Sequence, residues 1–115
     1  MRVGMKPRCF KSGNVRISII FDPDASLHKD SAKGAYQATV RFPHANARGG
    51  EKLERLKIGI PTKFLGRAED DSFIHEAAMT ALAFCLPEFG GSGSGFEVET
   101  DKSTGLPLIT PEKSQ

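Results

Sequence analysis

Apolar and polar residues alternate in NVRISIIFD, where Val15, Ile17, Ile19 and Phe21 lie in one phase and Arg16 and Ser18 in the other. A period of two predicts a strand with one buried face. Asp22, Pro23 and Asp24 end it, because proline fixes φ and Asp favours turns. The loop that follows runs to about Gly34, which is long for a small domain. AYQATVRFP repeats the alternation: Tyr36, Ala38, Val40 and Phe42 face one way and Gln37, Thr39 and Arg41 the other, until Pro43 stops the strand. Asn46 and the pair Gly49-Gly50 predict a hairpin connection. In KLERLKIGIP, Leu56, Ile58 and Ile60 share one face, and Arg55 and Lys57 the opposite one. Leu53 is out of phase, which predicts a bulge near Glu54.

The period then changes. In EDDSFIHEAAMTALAFCL, the residues Ile74, Ala77, Ala78, Ala81, Leu82 and Cys85 recur at helical spacing. Asp71 or Ser72 suits the start of this helix, and Pro87 predicts its end. Between Ala77 and Leu86 only Thr80 is polar, so the helix is expected to be buried on more than one side. GGSGSG, residues 90–95, reads as a flexible linker. FEVET and LPLIT then predict two short strands around a turn at Asp101 to Gly105, with Pro107 confining the last strand to an edge.

These elements predict an α+β fold: an antiparallel three-stranded meander packed on one helix, followed by a C-terminal β-hairpin. The organisation is a basic N-terminal arm at residues 1–13, a core at 14–89, the linker at 90–95, and a hairpin and tail at 96–115. The order β-β-β-α-β-β is similar to that of the OB-fold, in topology only and over residues 14–110. That resemblance implies binding of single-stranded nucleic acid or other ligands through the sheet face and loops. The simpler alternative is a three-stranded sheet plus helix with a separate C-terminal arm.

Composition fits such a domain. The chain has 115 residues, 38% hydrophobic and 26% charged, enough for one small core. No apolar run approaches the roughly 20 residues that a membrane span needs, and the basic N-terminus has no apolar stretch behind it, so neither a membrane span nor a secretory signal is expected. Cys9 and Cys85 are far apart and without partners at metal-ligand spacing. They read as free thiols in a reducing compartment, which points to the cytoplasm.

Charge alters the picture more. Residues 1–68 hold 14 Lys/Arg against 5 Asp/Glu, a net +9, whereas residues 69–115 hold 2 against 9, a net −7. The first sixteen residues carry Arg2, Lys6, Arg8, Lys11 and Arg16 and no acid. Such a split marks a polyanion-binding surface with a self-competing acidic part, or two halves that pair with each other.

Motifs for chemistry fail one by one. His75-Glu76 opens like a zinc-protease helix, but Met79 stands where the second histidine belongs. DPDASLHKD lacks the glycine of a calcium loop and has Lys33 at the position of the bidentate Glu. Gly49-Gly50 precedes a strand, not a helix, so it is no phosphate loop. Cys85 and His75 fall on different faces of the helix. No catalytic residue, metal ligand or cofactor is therefore expected. The polar sheet face is more telling: it presents Arg16, Ser18, Gln37, Thr39, Arg41, Arg55 and Lys57, and all four of its charges are positive.

The expectation is a small, non-enzymatic nucleic-acid-binding protein, single strands preferred to double strands. Arg16, Arg41, Arg55 and Lys57 would hold phosphates on the sheet, and Arg2, Lys6, Arg8 and Lys11 on the arm. The polar face lacks the aromatics on which bases stack. The alternative is a protein-interaction or inhibitory module. It would dock its basic face on an acidic partner, or form a homodimer through the apolar helix.

Overall fold

Strand β1 (Arg8–Ser12) begins the fold, and a tight turn leads into β2 (Val15–Asp22). The structure, a computed structural model, describes residues 7–25, 33–44, 48–89 and 96–112. Arg2, Lys6, most of the loop after Asp24 and the whole 90–95 linker lie outside the described residues. Strands β3 (Ala35–Pro43) and β4 (Glu51–Gly59) complete an antiparallel meander. Helix α1 (Asp71–Phe89) follows a short 3-10 segment, Thr62–Arg67. A small hairpin of β5 (Glu99–Thr100) and β6 (Pro107–Leu108) comes next, and β7 (Thr110–Glu112) returns to pair with β1.

The main sheet therefore has five strands, in the order β4-β3-β2-β1-β7. The α+β class and the C-terminal hairpin agree with the sequence pattern. The strand count does not: four strands precede the helix, and β4 and β7 are the edges of an open sheet. Nothing in this order establishes the OB-like arrangement.

The additional strand lies inside the segment expected to be a basic arm. Its apolar signal is a single residue, Phe10, because the other inward positions are Arg8 and Ser12, the latter fully buried. Ser12 is tolerated there because its hydroxyl accepts the Glu99 N–H (3.0 Å) and donates to the Glu99 carbonyl (3.4 Å). The turn did carry a signal. Gly13-Asn14 is a two-residue hairpin loop with Gly first, and Gly13 has φ +59°.

The core lies between the sheet and α1. Val15, Ile17, Ile19, Tyr36, Ala38, Val40 and Phe42 bury against Ala77, Ala78, Ala81, Leu82 and Cys85. The core expected over residues 14–89 extends at both ends, since Phe10, Phe96 and Ile109 are buried in the same cluster. The tail thus covers part of what the helix and the meander leave open. Phe96 meets Phe42 edge to face at 4.8 Å. Asn14 and Glu97 exchange two hydrogen bonds, Asn14 N–H to Glu97 O and Glu97 N–H to Asn14 Oδ1. Phe84 on α1 stays 65% exposed.

Two local expectations are corrected. β4 pairs with β3 without a break from Glu51 to Gly59, so there is no bulge near Glu54. Leu53 instead takes its regular place on the polar face, and Lys52 and Glu54 turn inward at the strand end, 3.9 Å apart. Pro87 does not end α1, which continues to Phe89. Proline this near a C-terminus removes one backbone donor, and the helix lasts two residues more.

Candidate functional site: the outer sheet face

Strand parity decides what the outer face, turned away from α1, displays. Lys11 on β1 lies opposite Arg16 on β2, and Arg16 lies opposite Arg41 on β3. Three cations therefore stand side by side across three adjacent strands. The next row holds Cys9, Ser18, Thr39 and Arg55, and the third holds Ile20, Gln37 and Lys57. At a strand spacing of about 4.8 Å, neighbouring cations in the first row are within reach of one another. Arg55 is the diagonal neighbour of Arg41, which continues the line to Lys57 and makes a track of five cations across the face.

Such a row is costly to the fold. Like charges directly opposite one another destabilise a strand pair by roughly 0.2–1 kcal/mol. The chain offsets it only in part. Arg16 Nε is 3.7 Å from Glu112 Oε2, and Arg41 Nε is 4.0 Å from Glu51 Oε1, both long contacts between exposed or half-exposed groups. Among the described residues, neither Lys11 nor Arg55 has an ion-pair partner.

Two shallow hollows open on this face. One, of about 320 Å³, is lined by Cys9, Arg16, Ile17, Ser18, Thr39, Arg41 and Glu112. The other, of about 160 Å³, shares Ser18 and Thr39 with it and includes Arg55 and Gln37. Hydroxyl groups thus lie between guanidinium groups, a donor-rich surface suited to oxyanions.

Of the residues expected to bind phosphates, the fold brings together Arg16, Arg41, Arg55 and Lys57 on one face, and it adds Lys11, which had been placed on an arm. Arg8 goes elsewhere. It shares the inward phase of Phe10, and its guanidinium contacts Asp71 at the start of α1 at 2.9 Å. There it serves the positive end of the helix indirectly, by holding an acid in the first turn. Arg2 and Lys6 lie outside the described residues. Arg8–Asp71 and Arg16–Glu112 both join the basic and acidic parts of the chain, so part of the charge split is internal pairing. Sequence reasoning missed Glu112, which belonged to a tail with no pattern to show that it returns to the sheet.

A larger hollow, of about 370 Å³, opens between β4, the 3-10 segment and α1, with Ile58, Ile60, Phe64 and Phe73 among its walls. Two of its polar groups, the Tyr36 and Thr80 hydroxyls, are committed to the fold. The Tyr36 hydroxyl donates to the Ala68 carbonyl at 2.6 Å, and the Thr80 hydroxyl donates to the Glu76 carbonyl at 2.9 Å. Burial first, and then the negative charges of Asp70 and Glu69, push the Tyr36 phenol above its ordinary value of 10.0. Phe64 and Phe73 meet edge to face, with Lys63 and Arg67 each 5.0 Å from a ring centre. Glu76 is the one charged residue among the described walls of this hollow.

Among the described residues there is no cluster of three metal-ligating side chains, and no helix long and apolar enough to cross a membrane. Neither Cys9 nor Cys85 is in a disulfide, and Cys85 is buried as a small core residue. Comparison with protein-family models, with curated proteins and with solved structures found no match.

Proposed function

We propose that this chain is a nucleic-acid-binding protein, a binder and not an enzyme, which holds phosphates along the cation track of its outer sheet face. The observation that carries this reading is the row Lys11–Arg16–Arg41, placed side by side by strand register. A fold gains nothing from three adjacent cations, whereas a polyanion gains from each of them. The line continues through Arg55 and Lys57 and follows a single backbone, and a flat sheet face does not enter a duplex groove. Single strands are therefore the preferred ligand. Binding of this kind needs only the exposed face, and no OB-like barrel. With no aromatic among the described residues of the face, contact with bases falls to the guanidinium planes and affinity comes mainly from phosphates.

The test is fluorescence anisotropy with single- and double-stranded oligonucleotides over a range of salt. Five phosphate contacts on a single strand predict a slope of log affinity against log salt of about −3.5. Lack of binding to either form at low ionic strength would remove the proposal. Leu53 favours a second reading. It sits at the end of the cation row opposite Arg41 and is 37% exposed, as suits an acidic protein partner with an apolar contact. Loss of partner binding on Leu53→Ser, with oligonucleotide binding absent, would select that reading.

A further inference from the structure

The hollow between Arg16 and Arg41 has an acid of the chain itself at its rim. We infer that this hollow seats one phosphate group of the bound strand, and that Glu112 stands at that seat in the free protein as an internal competitor. The inference rests on the nucleic-acid reading above and adds a regulatory part to it.

The lining supplies what a phosphate needs. Arg16 and Arg41 face each other across the β2–β3 ladder and form two walls. Ser18 and Thr39, opposite one another in the next row, bring hydroxyl donors. A phosphate has several acceptor oxygens and can engage both guanidinium groups and a hydroxyl at once. Among the described residues the Glu112 carboxylate approaches only Arg16, at 3.7 Å, beyond good hydrogen-bond distance. It already shows that an oxyanion is accommodated at this rim, but it is held weakly.

Its support is equally slight. Glu112 is on β7, a three-residue edge strand that touches the main sheet through β1 alone. Pro111, in the middle of β7, has no N–H to give to the ladder. Short edges of this kind open locally at little cost. The acid can therefore swing aside, with or without its strand, when a better anion arrives. A bound phosphate and the acidic tail thus compete for the same cations.

The experiment compares Glu112→Gln with Glu99→Gln, an equal change of charge on the exposed hairpin strand β5. Affinity for an oligothymidylate of about eight nucleotides, a length within the usual range for small single-strand binders, is measured by anisotropy. Binding of inorganic phosphate is followed through the amide shifts of Ser18 and Thr39. Salt is held at about 0.15 M, where screening over about 8 Å suppresses distant charges. Loss of a competing ion pair that is exposed at Arg16 and partly buried at Glu112 predicts about three- to fivefold tighter binding for Glu112→Gln. Glu99→Gln should change affinity by less than about 1.5-fold, since its charge acts only at long range. Equal effects of the two variants would reduce the gain to net charge and overturn the inference. So would an unchanged Glu112→Gln affinity while the wild type binds the oligonucleotide, and in that case the nucleic-acid reading stands. No oligonucleotide binding by the wild type, even at low salt, would remove that reading. Phosphate shifts strengthened by Glu112→Gln would then support the same gate for a small anion.

Discussion

Replacing Arg16 by threonine separates a functional row of cations from a decorative one, because stability and binding should move in opposite directions. Arg16 stands between Lys11 and Arg41 in the ladder, so its removal relieves two like-charge contacts. At roughly 0.2–1 kcal/mol each, these favour the variant. Against them stands the lost ion pair with Glu112, 3.7 Å long with the arginine side chain 68% exposed. Pairs of that kind contribute about 0–1 kcal/mol. Threonine suits a strand and keeps a branched stem on the sheet, so propensity adds no loss. The net expectation lies between a loss of about 0.6 and a gain of about 2 kcal/mol, centred on a gain of about 0.7 kcal/mol, which raises the melting temperature by about 3–6 °C. Oligonucleotide binding should weaken, and the single-strand salt slope should become shallower by about 0.7. Calorimetry and salt-dependent anisotropy on the same samples give both quantities. A fall in melting temperature of more than about 5 °C would mean that Arg16 is needed by the fold, the opposite of a binding row's signature, and an unchanged salt slope would show that the row does not touch phosphate.

Three further outcomes test how the scaffold holds this face. Gly13→Ala should destabilise the protein by about 2 kcal/mol or more in urea unfolding: the left-handed backbone disfavours alanine by about 1–2 kcal/mol, and its Cβ would overlap the Glu97 carbonyl oxygen. Faster exchange of the Glu97 and Glu99 amides would locate the damage in the tail. Phe96→Ala should cost about 3 kcal/mol, because it empties a buried site against Phe42; a loss under about 1 kcal/mol would mean that the tail is not part of the core. Tyr36 is the one tyrosine of a chain without tryptophan, so its ionisation can be followed by near-ultraviolet absorbance alone. Its folded value is raised, mainly by burial, so its contribution to stability is intact below pH 10.0 and is lost as pH climbs through the higher folded value. A midpoint at or below 10.0 in the folded protein would contradict the buried hydroxyl.

Much of the architecture is legible along the chain wherever one residue in two is apolar. Val15 to Phe21, Tyr36 to Phe42 and Leu56 to Ile60 announce their strands, and Ile74 to Cys85 announces the helix, because burial of one face imposes a period. The same alternation places Arg16, Arg41, Arg55 and Lys57 on one outer face before any pairing is known. Arg8–Ser12 escapes this logic, since its two fully buried positions are Phe10 and Ser12, and the serine is buried only because Glu99, far along the chain, satisfies its hydroxyl. β7 escapes it too, for three residues around a proline carry no period.

What belongs to the sequence alone is therefore the class of the fold, the faces of its longer strands, and the sign of the charge they expose. Register belongs to the tertiary structure, and register is what sets Lys11, Arg16 and Arg41 side by side, sends Arg8 inward to Asp71, and returns Glu112 to the edge of the row. The reason is physical: a side chain's face is a local property with a period of two, whereas its neighbours on the next strand depend on turns and on a tail that close over the core from far away.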